Sequence, residues 1–231
     1  MLILNNKDFS HVRKRAEVFL GRTRARTGGP IAAPSAALSS SMALVSNLKK
    51  PGRRIEPIIL LSPSASSLLR MSNIKSFLES GVFIPADSNA AGSAANMLQI
   101  QRLLPSIDPS RPMRFILVDT PEQFKPDYWS RVVAVFTTGQ TWQFKSYKWT
   151  QPADLFSHAL GIYVGWRSEE VPSTVKGWGR SVLSVAVDKW SAQQGVASRW
   201  RDREVVERVW TSIEESMRSK GWGKDGLVAG R

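Results

Sequence analysis

Uninterrupted apolar runs and one strongly periodic segment set the frame of this sequence. Pro57-Ile58-Ile59-Leu60-Leu61, ending in Ser62-Pro63, has the length and continuous apolar character of a strand buried on both faces. Leu68, Met71, Ile74, Phe77 and Leu78 then recur at helical spacing. Ser64 or Ser66 is placed to cap that helix, and Gly81 offers a left-handed stop. Residues 85–112 have no clear pattern beyond a short helix suggested over Met97–Leu104. Arg114–Val118 and Val132–Phe136 predict two further strands. Pro152 and Asp154 open a predicted helix running to Gly165, with Phe156, Ala159, Leu160 and Tyr163 on one face. Val182–Val187, with Leu183, Val185 and Val187 at period two, predicts a strand. The closing segment is the clearest helix, with Val205, Val206, Val209, Trp210, Ile213 and Met217 on one face. Glu204 near its start and Arg218 and Lys220 near its end suit the helix dipole, and Gly221 ends it.

Strands that alternate with helices predict an α/β domain: three layers, with a mostly parallel sheet between helices. The expected division is a basic arm over residues 1–54, a folded domain over 55–222 and a tail over 223–231. Within the arm, Asp8–Leu20 suggests a short helix. Residues 22–54, rich in Gly, Pro and Ser, cannot bury enough apolar surface to offset ordering entropy.

Charge sharpens this division. Of the net +13, the first 54 residues hold eleven basic and two acidic groups, and the rest 21 basic and 17 acidic. A basic arm attracts nucleic acid or an acidic partner. The simpler reading is a solvated linker with import signals, since Arg13-Lys14-Arg15 and Lys49-Lys50-Pro51-Gly52-Arg53-Arg54 resemble such signals. Cysteine is absent, which excludes disulfides, thiolate nucleophiles and Cys-ligated zinc. With only His11 and His158, a multi-histidine metal site is excluded too. Thr27–Leu48 carries no charge, but its Ala, Ser, Pro and Gly do not make a membrane span, and Met1-Leu2-Ile3-Leu4 is too short for a signal peptide. The expectation is a soluble, intracellular chain.

An α/β architecture raises the question of nucleotide binding. A phosphate-binding loop needs Gly-x-x-x-x-Gly-Lys-[Ser/Thr] after the first strand, so that backbone N–H groups, a Lys and a magnesium-holding hydroxyl converge on the phosphates. Here Ser62-Pro63-Ser64-Ala65-Ser66-Ser67-Leu68-Leu69 puts serines at the glycine positions and Leu68 in place of the Lys. After Val118 comes Asp119-Thr120-Pro121-Glu122, not Asp-x-x-Gly, and no Asn-Lys-x-Asp follows a later strand. Nucleotide turnover is therefore not expected, and a degenerate GTPase-like domain with residual nucleotide affinity is the weaker alternative. Ser64, Ser66 and Ser67 at a helix start could still hold an anion, although capping is the simpler role. No Gly-x-Ser-x-Gly elbow exists, and His158 stands alone on its predicted helix. No catalytic residue, cofactor or metal is indicated.

The most unusual stretch is Trp129–Trp149. After its buried strand, Trp142, Phe144, Tyr147 and Trp149 interleave with Gln143, Lys145 and Lys148. Rings beside cations suit an extended peptide bearing Tyr, Pro and phosphoserine, and also single-stranded bases. Arg131, Trp142, Gln143, Lys145, Lys148 and Trp149 are the candidate contacts, although Trp142 and Phe144 also fit a core role.

Arg131-Val-Val-Ala-Val-Phe136, Gly139-Gln-Thr-Trp-Gln-Phe-Lys145 and Tyr147-Lys-Trp149 closely resemble the signature of the parafibromin family's C-terminal domain. Pro57–Leu61, Met71–Leu78, Asp154-Leu-Phe156 and Val206–Met217 match in place, so the resemblance covers roughly residues 55–222. It implies a Ras-like (P-loop-NTPase-like) fold without nucleotide binding. It also implies a non-enzymatic nuclear subunit of the RNA polymerase II-associated factor (PAF) complex, partnered by its other subunits. That complex travels with elongating polymerase and promotes histone ubiquitination and methylation. The family's C-terminal domain is associated with chromatin recruitment through phosphorylated repeats of the polymerase tail and of an elongation factor. Family members have a long N-terminal half, most of which this sequence lacks.

Overall fold

The computed structural model describes residues 54–88 and 96–227. The short helix expected at Asp8–Leu20, the basic clusters before Arg54 and most of the arm lie outside these residues. The domain is built on a six-stranded sheet in the order β2-β3-β1-β4-β5-β6. Its strands are β1 (Ile58–Leu60), β2 (Met97–Leu104), β3 (Asp108–Val118), β4 (Val132–Thr137), β5 (Leu160–Trp166) and β6 (Val182–Val187). All neighbours pair in parallel except β2 with β3, which form an antiparallel edge.

Three elements differ from the sequence expectation. Met97–Leu104 is a strand, not a helix. Helix-forming Leu, Gln and Arg mask a period of two, in which Leu98, Ile100 and Leu104 meet the core while Gln99, Gln101 and Leu103 are exposed. The helix opened by Pro152 stops at His158 (α1, Pro152–His158), and Leu160–Trp166 is a strand. There Leu160, Ile162, Val164 and Trp166 join the core at alternate positions.

Buried residues alternate between the two faces of the sheet. Ile59, Phe115, Leu117, Val133, Phe136, Ile162, Val185 and Val187 share one core with the long helix α3 (Asp202–Ser219). Trp210 is its centre: its ring meets Phe115 edge-on at 5.0 Å, and its Nε1 donates to the Leu78 carbonyl at 3.0 Å. Over the opposite face, α1, the short helix α2 (Ser173–Gly177) and the 3-10 segments Pro126–Arg131 and Thr141–Ser146 build an aromatic layer. Within it Phe144 meets Phe156 at 5.6 Å and Trp178 at 5.8 Å.

The helix expected after β1 is mostly turns. Leu68, Met71, Ile74, Phe77 and Leu78 do face the core. Helical structure, however, starts only at Ile74 and finishes as a π-helical turn, Ser76–Ser80. The fully buried Asn73 accounts for this: its Nδ2 donates to the carbonyls of Leu68 and Ile84, and its Oδ1 accepts the Arg70 N–H at 2.8 Å. A side chain that takes backbone partners competes with helix bonds. Gly81, at φ 71°, closes the turn as expected. Past α3, Gly221 likewise has a positive φ of 80°, and the chain forms a small hairpin, β7 (Trp222–Gly223) with β8 (Gly226–Leu227).

Candidate functional site

The chain from β4 to β5 holds Trp142, Gln143, Lys145, Lys148 and Trp149, and it crosses from the carboxyl edge of the sheet back to the amino edge. At the carboxyl edge, Gly139 takes a φ of 89° and Thr141–Ser146 coils as a 3-10 turn. Trp142 stands out from this turn, 46% exposed, and Lys145 is exposed beside it. Phe144 and Tyr147 turn inward and are buried. At the amino edge Trp149 lies against Trp129, which precedes β4, at 5.8 Å and edge-on. Its face stacks on His158 at 4.0 Å, and Lys148 sits 4.8 Å from its centroid. Lys148 thus lies over Trp149 at the amino edge, while Trp142 and Lys145 are both exposed on one turn at the carboxyl edge.

Arg131 and Gln143 belong to the interior. Arg131 is 7% exposed, and its Nε donates to the Glu56 carbonyl at 2.9 Å while its guanidinium lies 5.5 Å from the Tyr128 ring. Burial lowers its pKa, which the nearby Glu56 charge offsets in part. Gln143 Nε2 donates to the Phe136 carbonyl at 2.8 Å and to Tyr147 Oη at 3.2 Å. Burial pushes the Tyr147 phenol up to about 12, against the opposing effect of the Gln143 bond.

Ser64, Ser66 and Ser67 do not head a helix, since the first helical residue is Ile74. Ser64 Oγ donates to Gln140 Oε1 at 3.1 Å and is 2.8 Å from Ser66 Oγ, and Ser67 Oγ donates to the Leu69 carbonyl. Ser66 and Ser67 line a cleft of about 210 Å³ at the carboxyl ends of β4 and β5, together with Thr137, Thr138, Tyr163 and Glu169. Glu169 is the only charged side chain in that lining, so a phosphate there would meet a carboxylate and no cation.

One exposed aromatic–cation pair went unnoticed in the sequence. Trp200, 71% exposed, has Arg201 4.8 Å from its ring. The adjacent Ser198-Arg199-Trp200-Arg201 was the available signal. Among the described residues no helix is long and apolar enough to cross a membrane.

Fold and site together define a mixed α/β domain with exposed aromatic–cation pairs on its surface. Residues 53–216 match the family described as "RNA pol II accessory factor, Cdc73 family, C-terminal". Cell division control protein 73 of Schizosaccharomyces pombe is 43% identical over 171 residues, covering 73% of this chain and 44% of that protein. Its counterpart in Saccharomyces cerevisiae is 40% identical over 172 residues, covering 74% of this chain and 41% of that protein. The solved conserved domain of yeast Cdc73 is 40% identical and superposes with a TM-score of 0.64, covering 72% of this chain and 99% of that domain. The chain belongs to the Cdc73 family of RNA polymerase II accessory factors. It spans under half the length of the two yeast relatives.

Proposed function

We propose that this chain is a non-enzymatic adaptor acting in the nucleus as part of the PAF complex. On this reading its folded domain binds phosphorylated repeats of the RNA polymerase II tail or of an elongation factor. The observation that carries the reading is a set of accessible rings and lysines, half-buried Trp149 under exposed Lys148 and exposed Trp142 and Lys145 on one turn, in a member of this accessory-factor family. Rings stack on Tyr and Pro, and lysines pair with phosphate. Arg131 and Gln143, whose side-chain nitrogens donate to the Glu56 and Phe136 carbonyls, act in this reading as supports.

We read the fold as Ras-like without nucleotide binding. What supports this is the strand order, with one antiparallel edge strand, and a carboxyl-edge cleft whose only charged residue is an acid. In open α/β sheets that edge is where ligands bind, and this cleft offers a phosphate no cation.

Fluorescence anisotropy with labelled polymerase-tail repeats tests the proposal. Phosphorylated repeats are expected to bind and plain ones not, with loss of binding in the Lys145→Ala/Lys148→Ala double variant. Equal binding of both peptides would refute phosphate recognition by this chain. GTP or GDP with magnesium is expected to leave the melting temperature unmoved, because a ligand that does not bind the native state cannot shift it.

A further inference from the structure

At the amino edge of the sheet, between the end of α3 and the start of β4, lies a cavity of about 290 Å³. Its walls are aromatic: Trp129, Trp149, His158 and Trp222 line it, with Met217 and Lys220. These rings are held in place before any ligand arrives. Trp129 is 7% exposed and Trp222 6%. Trp149 is fixed between the edge of Trp129 and the stacked face of His158. His158 is oriented in turn by its Nδ1, 2.8 Å from the Asp154 carbonyl. A volume this small matches one large side chain, not a cofactor, since ligand pockets run from roughly 300 Å³ upward.

Lys220 gives the cavity its chemical sense. It is half-buried and no carboxylate lies within ion-pair distance of it among the described residues. Burial alone lowers its pKa. An ammonium facing apolar walls without a counter-charge is destabilising, and an anion brought by a ligand relieves that cost. Lys148, exposed over Trp149, adds a second cation. A ring-sized apolar pocket with Lys220 and no acid in its lining, and with Lys148 over one of its rings, suits an aromatic side chain with an anionic group beside it.

We infer that this cavity anchors the tyrosine ring of a bound phosphoserine peptide, with Lys220 and Lys148 receiving the phosphate next to it. The inference rests on the adaptor reading above and gives it a binding pocket. It makes Lys220, Trp129 and His158 part of the site, although none of them lies in the Trp142–Trp149 segment.

The test uses the full chain and a labelled repeat peptide with tyrosine beside phosphoserine. The companion peptide has alanine in place of that tyrosine. Lys220→Met keeps the stem and removes the charge. It is expected to weaken binding about tenfold, as loss of a charge-assisted contact does, while the melting temperature holds or rises. That combination separates a ligand contact from a structural one. The alanine peptide is expected to bind the wild type more weakly, yet to bind Trp149→Ala no worse than the tyrosine peptide does. If the wild type binds and neither Lys220→Met nor the alanine peptide changes affinity by more than about twofold, the anchor is overturned and the adaptor reading survives. If the wild type binds no phosphorylated repeat, the adaptor reading fails and the anchor with it.

Discussion

Arg199 and Asp202 form a two-pronged ion pair with both bonds at 2.7 Å and with side chains only 1% and 2% exposed. Asp202 also accepts the Phe83 N–H at 2.8 Å, and Arg199 donates to the Asp188 carbonyl and lies 5.3 Å from the Phe83 ring. One pair thereby ties the start of α3 to the segment after the π-helical turn and to the end of β6. Every prong of this buried pair is satisfied, so removing one partner strands the other. Asp202→Ala is expected to cost about 3–5 kcal/mol, and Arg199→Met/Asp202→Leu less than either single loss. Urea unfolding checks this. Single variants within about 1 kcal/mol of wild type would mean that the pair holds nothing together.

Gly161 is a second site where the packing allows little change. A Cβ there would lie 2.7 Å from Val182 Cγ2 and 2.8 Å from Phe156 Cε1. Phe156 cannot yield easily, because Phe144 and Trp178 hold its ring at 5.6 and 5.3 Å. Gly161→Ala is expected to destabilise by about 1–3 kcal/mol through overpacking. A melting temperature equal to wild type would show that the aromatic layer is more compliant than these contacts indicate.

These two sites also mark how far the sequence could be read. The long terminal helix was legible because Val205 through Met217 keep one face apolar for more than three turns against the sheet. The apolar runs of β1 and β4 were legible because both of their faces are buried. Leu160–Trp166 was not, because α1 and β5 abut at Ala159 and Leu160, and the apolar positions of one continue into the other. The early helix failed on one residue, Asn73, whose competing bonds no periodicity reveals. At the site, the sequence suggested a run of rings and cations, of which Trp142, Lys145 and Lys148 are exposed. It could not tell that Arg131 and Gln143 point inward, or that Trp129, His158 and Trp222 close on Trp149 from distant parts of the chain.

Acid should loosen the start of the domain. The Ser110 hydroxyl at 2.6 Å, followed by Arg54 at 2.8 Å, holds the Asp108 carboxyl well below the usual carboxylate range. A folded pKa below the unfolded one contributes stability that is present above the unfolded value of about 4 and is lost as pH falls toward the folded value. Wild-type stability is therefore expected to drop more steeply in acid than that of Asp108→Asn, as read from urea midpoints below about pH 5. Parallel pH profiles for the two proteins would show that these bonds persist in the unfolded chain or do not matter.

Alkali acts through the aromatic layer. The protein has three tyrosines, and burial raises the phenol pKa of Tyr128, Tyr147 and Tyr163, that of Tyr147 to about 12. Here the folded pKa exceeds the unfolded one, so the contribution is full below the unfolded value of about 10 and is lost as pH rises through the folded value. Absorbance at alkaline pH should show phenolate appearing late and together with unfolding. Tyr147→Phe should remove part of that alkaline destabilisation. Tyr128 or Tyr147 ionising freely in the native protein near the ordinary value would contradict their burial.

Arg131 and Lys145 offer the sharpest separation of support from contact. They lie on either side of β4, and the sequence suggested both as peptide contacts. Arg131 is buried, with its guanidinium on the Glu56 carbonyl and beside the Tyr128 ring, whereas Lys145 is exposed on its turn. Arg131→Ala opens a void and removes the donors that Arg131 gives the part-buried Glu56 carbonyl, which is expected to cost about 1–3 kcal/mol of stability. At temperatures where the variant stays folded, its affinity for phosphorylated repeats should be close to wild type. Lys145→Ala should do the reverse, leaving the melting temperature within about a degree or two, as exposed substitutions usually do, while weakening phosphopeptide binding. Calorimetric melting and anisotropy on the same two proteins settle the assignment. If folded Arg131→Ala loses phosphopeptide binding while Lys145→Ala keeps it, the binding surface lies on the Arg131 side of the sheet, and the exposed lysines of the turn have no part in it.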